Sequence, residues 1–118
     1  MAAPNLVSST SVIGKTHAEW VLTTASSILT NPGLSNSVYR VNSLFVTNLG
    51  TQDALCTVDL YRSSVSYKLA YEIPVNVKNS VVMIAKDSSI YLEEGDALRL
   101  VSNLPGVLQF VISYEIMS

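Results

Sequence analysis

The sequence predicts an all-β domain: an antiparallel β-sandwich of jelly-roll type, with about eight strands and an extended N-terminal arm. Three observations carry this. Apolar residues recur with a period of two in several stretches, as at Leu108, Phe110, Ile112 and Tyr114. From Val38 onward, turn signals break the chain roughly every 8–12 residues, the spacing of a sandwich or barrel. No segment sustains the i, i+3, i+4, i+7 pattern of an amphipathic helix. A length of 118 residues suits one domain with a core of its own. Within it, residues 1–36 read as an arm or edge-strand region and residues 37–118 as the sandwich.

Residues 1–36 are rich in Ser, Thr, Ala and Asn and carry only Lys15 and Glu19 as formal charges. Val7 and Val12-Ile13 suggest a short strand closed by Gly14-Lys15, and 18–23 a second. Asn31-Pro32-Gly33 is a turn signal. Such an arm suits pairing with its own sheet or with a neighbouring subunit's. Residues 38–49 are β-formers ending at Gly50. Ala54, Cys56, Val58 and Leu60 then alternate with Leu55, Thr57, Asp59 and Tyr61, one face inward. Ser63-Ser64 turns the chain, and 67–73 forms a strand that Pro74 stops. The run 81–85 is apolar on both faces, which predicts a central strand, with Lys78, Lys86 and Asp87 as flanking gatekeepers. Residues 90–101 read as a hairpin. Ile90 and Leu92 share a face, as do Leu98 and Leu100, and Gly95 and Asp96 supply the turn. Asn103-Leu104-Pro105-Gly106 turns into the last strand.

The balance of residue types narrows the function. Apolar residues make up 48% and charged residues 14%, against about a quarter charged in ordinary soluble proteins. Interfaces lose charge at their centres, so this balance favours a subunit that gives much of its surface to neighbours. Net charge is −2, with no basic patch for phosphates, which argues against nucleic-acid binding. No apolar run is long enough to span a membrane as a helix. Met1-Ala2-Ala3-Pro4-Asn5 lacks the basic region and apolar core of a signal peptide, so a protein made in the cytosol and not exported by a classical route is expected. The single Cys56 forms no internal disulfide and is expected to act as a small buried hydrophobe.

Candidate chemistry is sparse. His17 is the only histidine, too few for a zinc site alongside one cysteine, and an exposed loop position is expected for it. No Gly-x-Ser-x-Gly elbow is present. Glu93, Glu94 and Asp96 form an acidic cluster with oxygen ligands suited to calcium, but without EF-hand spacing, so a solvated hairpin tip is expected. Tyr39, Tyr61, Tyr67, Tyr71, Tyr91 and Tyr114 with Trp20 are candidates for a sugar-stacking platform, set against the ordinary use of tyrosine at the rim of a sandwich core. Arg40, Arg62 and Arg99 are expected to pair with Asp59, Glu72 or Glu115 across strands or subunits. No catalytic, cofactor-binding or metal-ligating residue is assigned, and no cofactor is expected.

Several stretches together resemble a known group. They are Met1-Ala2-Ala3-Pro4-Asn5 with Gly14-Lys15-Thr16; Tyr39-Arg40-Val41-Asn42-Ser43-Leu44-Phe45-Val46-Thr47-Asn48; Val58-Asp59-Leu60-Tyr61-Arg62-Ser63; the run from Tyr91 through Glu93-Glu94-Gly95-Asp96 to Leu100; and Ile112-Ser113-Tyr114-Glu115. The chain resembles the small β-sandwich virion structural proteins of tailed bacteriophages, particularly those of marine cyanobacteria. The resemblance implies a non-enzymatic protein of the particle. It implies a capsid decoration or cement role first, as a homo-oligomer, preferably a trimer, bound to the major capsid protein or other virion proteins. A tail, neck or fibre component is the alternative within the virion. A carbohydrate-binding module is the alternative outside it.

Overall fold

The computed structural model describes residues 11–118. The first ten residues of the expected arm, including Val7, lie outside the described residues. Nine strands follow: β1 (Val12–Trp20), β2 (Ser26–Thr30), β3 (Val38–Asn48), β4 (Ala54–Arg62), β5 (Val65–Val75), β6 (Ser80–Ile84), β7 (Ile90–Leu92), β8 (Ala97–Ser102) and β9 (Leu108–Met117). One sheet runs in the order β1-β9-β3-β6, with β7 also on β3, and the other runs β2-β8-β4-β5. All pairings are antiparallel.

Strands β6 and β7 lie along the same side of β3, opposite Leu44–Thr47 and Tyr39–Val41 respectively. They form one broken edge, interrupted by a 3-10 turn at Lys86–Ser88. Counted as one, they leave eight strands in two sheets of four, with the chain passing repeatedly from sheet to sheet. This is the jelly-roll arrangement expected from the sequence. Strands β1 and β2 are outer strands of these two sheets, so the described part of the N-terminal region pairs with its own chain.

The core lies between the sheets. Val41, Leu44 and Val46 of β3 and Leu108, Phe110 and Ile112 of β9 meet Cys56 and Val58 of β4 and Leu98 and Leu100 of β8, all essentially inaccessible. The period-two pattern of β4 and β9 thus does what it predicts. Cys56 is fully buried, and that burial pushes its thiol up to about 12. The buried Asn48 ends β3 by donating to the carbonyls of Gln52 (2.8 Å) and Val75 (2.9 Å) while accepting from the Gly50 amide (2.8 Å).

Several local expectations are corrected. Residues 90–101 do not form a hairpin: β7 belongs to one sheet and β8 to the other, so Glu93-Glu94-Gly95-Asp96 is a corner between layers. β1 is one strand through Gly14 and Lys15, because Gly14 and Lys15 pair with Glu115 and Tyr114 in continuous register. The region read as an arm or edge strand supplies β2 as an outer strand, ending just before the Asn31-Pro32-Gly33 turn signal. β5 continues through Pro74 as an edge strand, where a missing N–H can face solvent. β6 is an edge and not a central strand, with Val82 half exposed. Ser63 and Ser64 do turn the chain, both at positive φ (51° and 63°), the geometry of a two-residue hairpin turn.

Candidate functional site

The inter-sheet corner gathers the acidic residues. Gly95 sits at φ 87°, a conformation that favours glycine, and its amide donates to the Asn31 carbonyl (2.8 Å). The fully buried Asp96 accepts from the Glu93 amide (2.8 Å) and from Arg62 Nε (2.9 Å), with Arg62 Nη2 on its other oxygen. The same guanidinium reaches Glu93 at 3.1 Å. Glu94, 4% exposed, accepts from the Asn36 amide (2.8 Å). The buried Asn31 holds the facing loop by donating to the carbonyls of Ser37 and Leu92, each 2.9 Å, and accepting from Ser35 (2.6 Å).

The expectation of a solvated acidic tip is therefore overturned. Glu93 and Asp96 converge on the Arg62 guanidinium while Glu94 turns toward the 31–37 loop, so Glu94 and Asp96 are buried in closing the corner and Glu93 stays half exposed beside Arg62. Among the described residues no group of three or more His, Cys, Asp or Glu side chains is placed to hold a metal ion. Arg62 was expected to pair with Asp59, Glu72 or Glu115; its partners are Asp96 and Glu93 because the corner brings 93–96 over the end of β4.

The other expected ion pairs form. On the outer face of the β2-β8-β4-β5 sheet, Asp59 lies between its register partners Arg99 and Lys68. Arg99 grips it through two hydrogen bonds (2.8 and 3.1 Å) and stacks over the Tyr61 ring at 4.0 Å. Lys68 Nζ lies 3.7 Å from the carboxylate. Burial pushes the Asp59 carboxyl up, but hydrogen bonds from Arg99 and Ser66 and the charges of Arg99 and Lys68 outweigh it and hold the group below its ordinary value. The stabilisation this implies is present above the ordinary value of 3.8 and is lost as pH falls through the lowered folded-state value. Asp59→Asn is accordingly expected to lower the urea midpoint at neutral pH. Its deficit relative to the parent should shrink below about pH 4. A deficit that stays constant down to acid unfolding would contradict this. Arg40 and Glu115, paired across β3 and β9, approach to 3.8 Å.

His17 is not in a loop. It lies on β1 opposite Ile112, its ring 5.7 Å from that of Phe110 and its Nε2 3.7 Å from Glu19. Two of the depressions bordered by the described residues bear on chemistry. One, of about 490 Å³, lies beside Trp20 and includes Glu19 as its one ionisable side chain. The other, of about 240 Å³, includes only Glu72. Neither brings together an acid, a base and a nucleophile. The aromatic residues also separate. Tyr39 and Tyr114 stack on each other against the core, Tyr61 lies under Arg99, Tyr67 and Tyr71 are on β5, and Trp20 and Tyr91 are near opposite ends of the other sheet.

The outer face of the β1-β9-β3-β6 sheet differs in kind. Its central row, set by register, is Ala18, Val111, Phe45 and Val82, all exposed. On one side lies the row Trp20, Gln109, Thr47 and Ser80; on the other lie Thr16, Ser113 and Ser43. None of these residues is ionisable. Thr16 and Ser113 approach to 3.3 Å, and Thr47 and Ser80 to 2.6 Å, so hydroxyls satisfy one another beside the apolar row. The shortage of charge is visible in the sequence but its location is not, because the rows exist only once four strands are in register.

The fold and surfaces define an all-β jelly-roll domain with one face crossed by an ion-paired row and one whose central rows carry no charge. No family model and no curated protein matches the chain. Among solved structures it is similar to a chain of the Bacillus endospore appendages that form a novel family of disulfide-linked pili. The likeness has a TM-score of 0.56 at 13% identity and covers 99% of this chain and 95% of that one. At that identity it speaks for the fold alone.

Proposed function

We propose that this protein is a non-enzymatic structural subunit that works in many copies on a phage particle, first as a capsid decoration or cement protein. The observation that carries the reading is the uncharged, apolar-centred outer face of the β1-β9-β3-β6 sheet, a surface suited to being covered by a neighbour. The phage setting rests on the resemblance in sequence. On a shell, such a subunit bridges capsid proteins against internal pressure as a homo-oligomer.

A tail or fibre component is the second reading, and the likeness to a pilus chain favours it. The disulfide linkage of that pilus does not carry over as it stands: this chain has one cysteine, fully buried with a thiol held protonated. Glycan binding has less support, because Trp20 and the exposed tyrosines do not share one surface.

Copy number separates the first two readings. Quantitative mass spectrometry of purified particles is expected to find the protein in amounts comparable to the major capsid protein, and particles lacking it are expected to break on heating or osmotic shock. A handful of copies per particle would favour the tail or fibre reading, and absence from particles would end both.

A further inference from the structure

We propose that the uncharged face of the β1-β9-β3-β6 sheet is a two-fold interface, covered in solution by the same face of a second copy of this chain. This rests on the reading above that the protein acts through association, and it names the surface and the partner. Three features point there together.

The first is that the sheet edges are poorly suited to adding a strand. On β1, Lys15, His17 and Glu19 occupy the core-side face, opposite Tyr114, Ile112 and Phe110, where another strand would have to bury them. β5 carries Pro74 and two register shifts. β2 and β6 are five residues each. These are the devices by which sheets discourage edge-to-edge pairing. The second is the contrast of faces. The opposite sheet carries the ionic Arg99, Asp59 and Lys68 row across its outer surface, whereas the central row of this one presents Phe45, Val82 and Val111 at 41%, 53% and 40% exposure. The Arg40–Glu115 pair stands at its end, giving an apolar centre and a polar rim.

The third is shape. An apolar row flanked by uncharged rows meets itself when a second copy is turned over about the line of that row, so apolar lies on apolar and residue 111 of one copy falls near residue 111 of the other. Four strands span about 19 Å and five residues along them about 17 Å. With side-chain relief, a pair buries on the order of 1,000 Å² in total, the lower bound for a specific interface. A charged partner gains nothing here, and two copies of net charge −2 meet where neither carries charge.

Sedimentation equilibrium of the full chain tests this. The expected result is a monomer–dimer equilibrium that shifts with concentration in the micromolar range. Val111→Lys is expected to weaken dimerisation by roughly tenfold or more, as is Val111→Glu, each with an unchanged circular dichroism spectrum. An equimolar mixture of the two should recover the dimer, because only a two-fold contact brings residue 111 of one copy near residue 111 of the other. Tyr71→Glu, on the other sheet, should leave association unchanged. Trp20 is the single tryptophan and lies on this face, so emission of the unmodified protein should shift to shorter wavelength as the dimer forms. A monomer at all concentrations, a trimer, or a dimer indifferent to charge at residue 111 would overturn the proposal. A monomer that is nonetheless abundant on particles would sink this interface and leave the structural role standing. A dimer absent from particles would do the reverse.

Discussion

Replacing Phe110 with alanine is expected to destabilise the fold by about 3–5 kcal/mol. Phe110 is 1% exposed near the start of β9, which pairs with β1 on one side and β3 on the other. Its loss removes the ring from the layer between the sheets. Backbone hydrogen bonds on both sides of β9 limit how far the strands can collapse into the space. A domain of this size has a total stability of about 5–15 kcal/mol, so the variant should lose a large part of its margin. Urea unfolding followed by far-ultraviolet circular dichroism checks this: the midpoint should fall with little change in slope. Phe110→Leu should recover much of the loss. A cost below about 1 kcal/mol would mean that the two sheets are not packed as described.

Asp96→Ala is expected to be the second most damaging change, costing about 2–4 kcal/mol. Asp96 is fully buried and organises three groups at once: the Arg62 guanidinium, the Glu93 amide and, through its own carbonyl, the Asn31 amide. Without the carboxylate, the Glu93 N–H loses its acceptor inside the corner. Arg62 keeps Glu93 and some access to water, which holds the cost below that of a wholly buried broken pair. Asp96→Asn keeps an acceptor for the Glu93 amide and should fall between the parent and Asp96→Ala. The damage should also be local. Hydrogen exchange should rise first at 31–37 and 92–97, where the two sheets are tied together, and later in β9. Uniform exchange throughout, with an unchanged urea midpoint, would show that the corner is held by something else.

Legibility in the sequence followed the distance over which each determinant acts. The alternation in β4 and β9 is decided residue by residue by which side chains meet water, so the buried faces could be read directly. The Ser63-Ser64 turn and the burial of Cys56 were legible for the same reason. The run 81–85 misled because apolar residues on both faces suit a central strand as well as an exposed edge beside an uncharged face. Pro74 misled because a strand tolerates proline where no neighbour needs its N–H, and nothing local says that β5 is outermost. His17 looked like a loop residue because a histidine on the core side of a strand is unexpected unless the strand overhangs the sandwich edge.

The amino-acid order alone determined that this chain is all-β, which faces of its most regular strands are buried, and that charged residues are scarce in it. Those properties depend on period and composition, which are local and additive. Only the tertiary structure decided that Glu93-Glu94-Gly95-Asp96 is a cross-sheet corner closed by Arg62. It alone also decided that the missing charge is concentrated on one face. Both depend on which strands become neighbours, and that follows from burying one face of each sheet against the other, a choice made by the whole chain at once.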